Sequence, residues 1–182
     1  MRIADTGYWL DDIPSAHFYD DTLAGWLSNL LVVGMGKVNA TCADMGCGEG
    51  KYVATIPRCI GFDGNPHAKQ SKVDIVDLTI PSLMVGTYDL VLCLSVGEKI
   101  PLRYTEDFLH NLTWSVAASG LLVLSWAIPG QNGRGNINCL SNVAVAALLE
   151  THNFKLRGVL SESARSAATL PWFKSSLMVF GQ

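Results

Sequence analysis

The sequence predicts an α/β domain built on a mostly parallel sheet of seven strands, in three layers, and three observations carry that prediction. Short apolar runs alternate with helical patterns through most of the chain, the signature of strands joined by crossover helices. Gly46, Gly48 and Gly50 crowd the turn directly after the first of those runs. The next two runs end in acids, at Asp63 and Asp77. At 182 residues the chain fits one domain, residues 1–182, with enough length to bury a full core.

Taken in order, Leu23, Trp26, Leu27, Leu30 and Leu31 recur at steps of three and four and predict a helix over residues 20–33. Ser15 or Asp20 caps it and Gly34 ends it. Residues 1–36 therefore read as an amino-terminal segment plus this helix. Strand one spans residues 39–45 and a short helix spans 51–56. Strand two is 60–63, strand three 73–78 and strand four 88–95. Only a turn or two fits between residues 63 and 73, and almost nothing between 78 and 88, so the helices on one face are reduced. A helix over 104–118 leads to strand five at 120–126, and a helix over 140–151 starts near Ser141 or Asn142. The tail offers two strands, 154–161 and 176–180, separated by a polar segment. Without a full crossover helix between them, the last strand is expected to run antiparallel.

Composition narrows the function. The formal net charge is −3 and the thirteen Lys and Arg are scattered, which argues against a life spent on nucleic-acid phosphates. Five cysteines, an odd number with no C-x-x-C pair, suggest buried reduced thiols in an intracellular, cytoplasmic protein. No secretory signal opens the sequence, so the glycosylation-type triplets at Asn39 and Asn111 are chance matches. The longest apolar run, residues 121–128, is interrupted by Ser125 and too short to span a bilayer, so no membrane partner is expected.

The chemistry concentrates in Asp44-Met45-Gly46-Cys47-Gly48-Glu49-Gly50. Gly46 and Gly48 let the backbone turn sharply off a strand and approach a ligand where a Cβ would clash. Asp44 then stands at the strand's carboxyl end, placed to pair with a cationic amino group. A dinucleotide fingerprint would read G-x-G-x-x-G, but here the sixth position is Lys51.

This stretch resembles the first motif of the class I S-adenosylmethionine-dependent methyltransferases, whose fold is Rossmann-like. The resemblance implies S-adenosylmethionine as cofactor and S-adenosylhomocysteine as product, bound by Asp44, Gly46, Cys47, Gly48 and Gly50. Asp63, Gly64 and Asn65 stand where ribose hydroxyls are held. Asp77 and Leu78 stand where the adenine is met, although Asp74 lies three residues away and alternation decides which acid faces the ligand. Leu94 and Ser95, at the end of strand four, stand beside the methionine part.

Some relatives carry E-x-x-E-H after strand four, acids and an imidazole able to hold a divalent cation. Here Ser95 replaces the first Glu and Lys99 the His, leaving Glu98 alone, so no metal is expected. Either the Lys99 ammonium stands in for the cation, or Lys99 is a solvated partner of Glu98 or Glu106. The loop from Trp126 to Asn138 resembles the W-A-x-P-G-Q-G-G-x-G-H-x-N stretch of a group of eukaryotic and viral methyltransferase-like proteins, with Asn136 in the His position. Trp126, Gln131, Asn136 and Asn138 are its substrate-binding candidates, against the alternative of a plain surface loop. Tyr8-Trp9 and residues 17–20 precede the first helix, where related enzymes place a lid. Glu98, Lys99 and His17 are the candidate catalytic groups, His17 for its near-neutral intrinsic pKa. The run 169–174 roofs the pocket or covers the sheet, and packing is the preferred reading.

The reading is a metal-independent methyltransferase acting first on a small molecule and second on RNA. No N-P-P-Y tetrapeptide or Pro-Cys pair marks a nucleobase enzyme, and Ser95 replaces the acid expected of a cap-ribose enzyme. The alternative is a methyltransferase-like binding or regulatory subunit that serves a partner protein.

Overall fold

Asp20 departs from helical backbone with φ −118°, and its carboxylate accepts the Leu23 N–H at 3.1 Å. That cap starts α1 (Asp21–Asn29), whose apolar stripe buries Leu23 and Leu27 completely. The helix runs on as a π-helical turn, Leu30–Gly34. The computed structural model describes residues 2–11, 18–68 and 71–182. Ser15, the other capping candidate, lies outside them.

Seven strands follow: β1 (Cys42–Met45), β2 (Cys59–Asp63), β3 (Val73–Ile75), β4 (Tyr88–Leu94), β5 (Val116–Ser125), β6 (Lys155–Leu156) and β7 (Leu177–Gly181). They form one sheet in the order β3-β2-β1-β4-β5-β7-β6. β1 through β5 pair in parallel, while β7 is antiparallel to both β5 and β6. The helices are α2 (Lys51–Thr55), α3 (Thr105–Trp114), α4 (Asn142–Thr151), α5 (Gly158–Ala167) and α6 (Pro171–Ser176). Among the described residues no helix occupies the β2–β3 or β3–β4 connection.

Helices cover both faces, so the central strands read as continuous apolar runs. Along β4, Leu90 and Leu92 face the cluster under α1, α2, α5 and α6, and Val91 and Cys93 face the cluster under α3 and α4. All four are fully buried. Two cores thus sandwich one sheet.

Three expectations change. The helix expected over 104–118 stops at Trp114, because the Ser115 hydroxyl donates to the Asn111 carbonyl at 2.8 Å and closes the turn. β5 then starts at Val116, earlier than the glycine suggested. The strand expected over 154–161 is only two residues long. From Gly158 the chain turns into α5, where the Ser161 N–H and hydroxyl both reach the Arg157 carbonyl at 2.9 Å. The antiparallel last strand is present, but α5 and α6 lie between β6 and β7, so the premise of a connection without helices fails.

Candidate functional site

The carboxyl ends of the parallel strands surround a cavity of about 480 Å³, beside the point where β1 separates from β4. Strand order reverses there, and ligands in open α/β sheets bind at such a crevice. At the end of β1 the chain turns through Gly46 at φ +84°, with the Gly46 and Cys47 N–H groups donating to the Phe62 carbonyl at 2.7 and 3.1 Å. A Cβ on Gly46 would lie 2.3 Å from a Val96 methyl, so only glycine fits. Gly48 and Gly50, also at positive φ, turn the chain behind this wall and launch α2.

Asp44 is 2 % exposed, and its Oδ2 has no hydrogen-bond partner among the described residues. Burial, with a smaller contribution from the charge on Asp63, pushes its carboxyl up to about 7. A buried carboxylate with an empty acceptor is costly by itself. Asp63 faces it from β2 in a different state: Oδ2 accepts the Gly48 N–H and Oδ1 the Asn65 N–H, both at 2.7 Å. Beyond β3, Asp77 lines the cavity while Asp74 is exposed. Asp77 Oδ1 accepts from the Thr79 N–H and hydroxyl, and Oδ2 from the Thr6 hydroxyl at 2.8 Å.

Thr6 belongs to a folded amino-terminal segment. Ile3 and Trp9 form an antiparallel bridge, and Arg2 pairs with Asp11 at 2.8 Å. This segment seats on the cavity rim. The Tyr8 ring occupies the space a side chain at position 64 would need, 2.5 Å from an ideal Cβ, and the Trp9 ring lies 6.0 Å from Lys99 Nζ.

At the end of β4, Leu94 and Ser95 reach the wall. Ser95 adopts φ +57°, held by its N–H donating to Ser125 Oγ at 2.8 Å. Glu98 is 2 % exposed and accepts from Lys99 Nζ at 2.9 Å through Oε1, while Lys99 also donates to the Ser95 carbonyl. Lys99 is thus a held member of a buried pair, not a solvated side chain, and Glu106 instead lies 3.5 Å from His152. Among the described residues no group of three or more His, Cys, Asp or Glu gathers as a metal would require.

No protein-family model and no curated protein sequence matches the chain. Solved structures do match its fold. The sugar N-methyltransferase KedS8 from Streptoalloteichus sp aligns with a TM-score of 0.69 at 12% identity, over 100% of this chain and 98% of that one. A TehB-like SAM-dependent methyltransferase from Corynebacterium glutamicum aligns with a TM-score of 0.64 at 20% identity, over 88% and 87%. SAM-bound CalS10, an amino pentose methyltransferase from Micromonospora echinaspora, gives 0.64 at 15% identity, over 86% and 89%. The chain has the class I methyltransferase fold.

Within that methyltransferase fold, the sequence-predicted residues divide between wall and support. Gln131 and Asn136 line the cavity, with Asn136 Nδ2 donating to the Gln131 carbonyl at 3.3 Å. Trp126 and Asn138 do not. Trp126 is fully buried, edge-on to Phe108, and its Nε1 donates to the Asn138 carbonyl at 2.6 Å. The Asn138 amide in turn donates to the Ile100 carbonyl and to Thr105 Oγ1, both at 3.1 Å. These two expectations of substrate contact are corrected: both residues brace the base of the loop, because an indole N–H and a carboxamide buried there need internal partners. His17 lies outside the described residues. Trp172 and Phe173 stand at the wall, where the sequence reading preferred packing. Sequence reasoning missed Thr6, Val96 and Tyr52, which also line the cavity. Only Thr6 carried a signal, its place two residues before the aromatic pair Tyr8-Trp9.

Proposed function

We propose that the chain is an S-adenosylmethionine-dependent methyltransferase that works without a metal on a small-molecule acceptor. The observation that carries this reading is Asp44, a buried carboxylate at the cavity wall whose Oδ2 finds no partner among the described residues. The cofactor's ammonium would supply that partner and hold the carboxyl ionised. Asp63 and Asn65 fit ribose hydroxyls, since both line the cavity at the end of β2 and the Asp63 carboxylate is fixed there by the Gly48 and Asn65 N–H groups. Asp77 and Leu78 border the place for the base, and Leu94 and Ser95 the place for the methionine chain. The fold likeness supports the same reading, as CalS10 is SAM-bound and the plantazolicin methyltransferase BpumL is in complex with SAH.

When bound, the cofactor supplies a methyl group made electrophilic by its sulfonium. The chain's own work is then alignment, desolvation and proton removal. The segment with Tyr8 and Trp9 covers the cavity from one side and the loop with Gln131 and Asn136 from another. Glu98, held by Lys99 through Oε1 and accepting the Ala127 N–H through Oε2 at 3.4 Å, takes the acceptor's proton on Oε2, and Lys99 orients it. Among the described residues no helix is long and apolar enough to cross a membrane. The five free thiols fit a reducing, cytoplasmic setting.

Calorimetric titration with S-adenosylmethionine and S-adenosylhomocysteine tests this, in magnesium and in chelator. Micromolar binding indifferent to metal, and weakened about tenfold or more in Asp44→Asn, is the expected result. No heat with either ligand overturns the reading.

A further inference from the structure

The walls of this cavity carry an excess of negative charge and of aromatic surface that says something about the acceptor. Among the described residues, five carboxylates line the cavity against three cationic side chains. Two of those cations are already spoken for by lining carboxylates: Lys51 pairs with Glu49 at 3.0 Å and Lys99 with Glu98 at 2.9 Å. The third, Arg134, sits at the exposed tip of the loop that follows β5. The described part of the wall therefore has a formal charge of minus two, and a cofactor of net single positive charge leaves it negative. An anionic acceptor would enter against that field.

Aromatic side chains are the second feature of this wall. Phe18 and Trp172 meet edge to face at 4.9 Å between ring centres, Phe173 follows Trp172 at the wall, and Trp9, with Lys99 Nζ 6.0 Å from its ring, also lines the cavity. Aromatic faces beside acidic side chains attract cations through the ring quadrupole. The same faces gain nothing from a carboxylate or a phosphate.

We propose, building on the methyltransferase reading above, that the acceptor is a small amine, captured as an ammonium between these aromatic faces and methylated on nitrogen. The ammonium first gives one proton to Glu98 Oε2, exposing the nitrogen lone pair. That pair forms the N–CH₃ bond as the S–CH₃ bond breaks, and the electrons of the broken bond stay on sulfur, leaving a neutral thioether. The methylated nitrogen keeps its positive charge, and the proton on Glu98 passes to water.

Three probes of one shape and different charge test this on protein saturated with S-adenosylhomocysteine: benzylamine, benzyl alcohol and benzoate. Benzylamine is expected to bind about tenfold or more tightly than benzoate, with the difference shrinking as salt is raised, and Trp172→Ala is expected to reduce that preference several-fold. Benzoate binding as tightly as benzylamine, or no saturable benzylamine binding, overturns the amine proposal and leaves the cofactor reading intact. A short RNA oligonucleotide binding the same complex more tightly than benzylamine also overturns it, in favour of a nucleic-acid acceptor. Failure of S-adenosylhomocysteine itself to bind removes both.

Discussion

The hydroxyl of Thr6 donates to the carboxylate of Asp77 at 2.8 Å and ties the amino-terminal segment to the loop after β3 across 71 residues of chain. The segment is internally bonded, with Ala4, Gly7 and Leu10 N–H groups donating to Tyr8, Ala4 and Arg2 carbonyls. It therefore moves as a unit or not at all. Thr6→Val keeps the shape and removes the donor. Hydrogen exchange at Ala4, Gly7 and Leu10 is expected to speed about tenfold or more, as the loss of one bond to a charged group is worth about 1.5–3 kcal/mol. Unchanged protection would show that Tyr8 packed on Gly64 suffices to hold the segment.

Asp44 sets a pH dependence whose sign is opposite to that of most native carboxylates. Its folded value of about 7 lies above the ordinary 3.8, so between those values the folded chain keeps a proton that the unfolded chain has released. Stability of the free protein is then expected to fall as pH rises through this window and to level off above it. Asp44→Asn removes that slope, and urea midpoints across the pH range measure it. A variant whose slope matches wild type would remove Asp44 as its source.

Gly46→Ala is expected to destabilise by about 2–4 kcal/mol, from a side chain at positive φ and from crowding by Val96. The double variant Gly46→Ala, Val96→Ala clears the 2.3 Å contact but not the backbone strain, so thermal melting should recover only part of the loss. Full recovery would mean that φ at this position costs nothing.

Asp20 behaves in the usual direction. Burial raises its carboxyl, but the N–H groups of Leu170, Leu23 and Thr169 outweigh that and hold it below 3.8. Its contribution is present above the ordinary value and lost as pH falls through the depressed one. Asp20→Ala removes a cap and strands two further N–H groups, at an expected cost of about 2–4 kcal/mol. The gap to wild type should narrow in acid, and a gap independent of pH would sink the electrostatic account.

Lys99→Met leaves Glu98 buried without its cation, an arrangement expected to cost on the order of 2–3 kcal/mol. Lys99→Met with Glu98→Gln should regain most of that stability while methyl transfer stays lost. Chemical denaturation and S-adenosylhomocysteine release, followed on both variants, separate the structural role of the pair from its proton transfer.

The acids at the strand ends were legible because each follows an apolar run directly, so local pattern alone places Asp44 and Asp63 on neighbouring strands. The α4 cap at Ser141 was legible for the same reason. What the sequence hides is set by partners far along the chain. Residues 154–161 alternate like a strand, and only Ser161, bonded to the Arg157 carbonyl and to the Val179 N–H at 2.9 Å, reveals why helix follows. Trp126 looked like a substrate contact because the loop around it is polar, yet its indole points into the core. Lys99 gave no sign whether it was solvated or paired, since that depends on the depth at which Glu98 sits.

The place of β7 has a consequence for how the molecule is made. It is the last strand in the chain and lies between β5 and β6, completely buried on both sides. Until residues 177–181 have left the ribosome, the outer edge of β5 is an open row of donors and acceptors, and β6 has nothing to pair with. The cofactor half of the sheet, β1 to β4, is complete long before that. A nascent chain would therefore assemble the cofactor side of its pocket first and remain sticky at the opposite edge, so chaperones and competing strands have their opening until β7 docks.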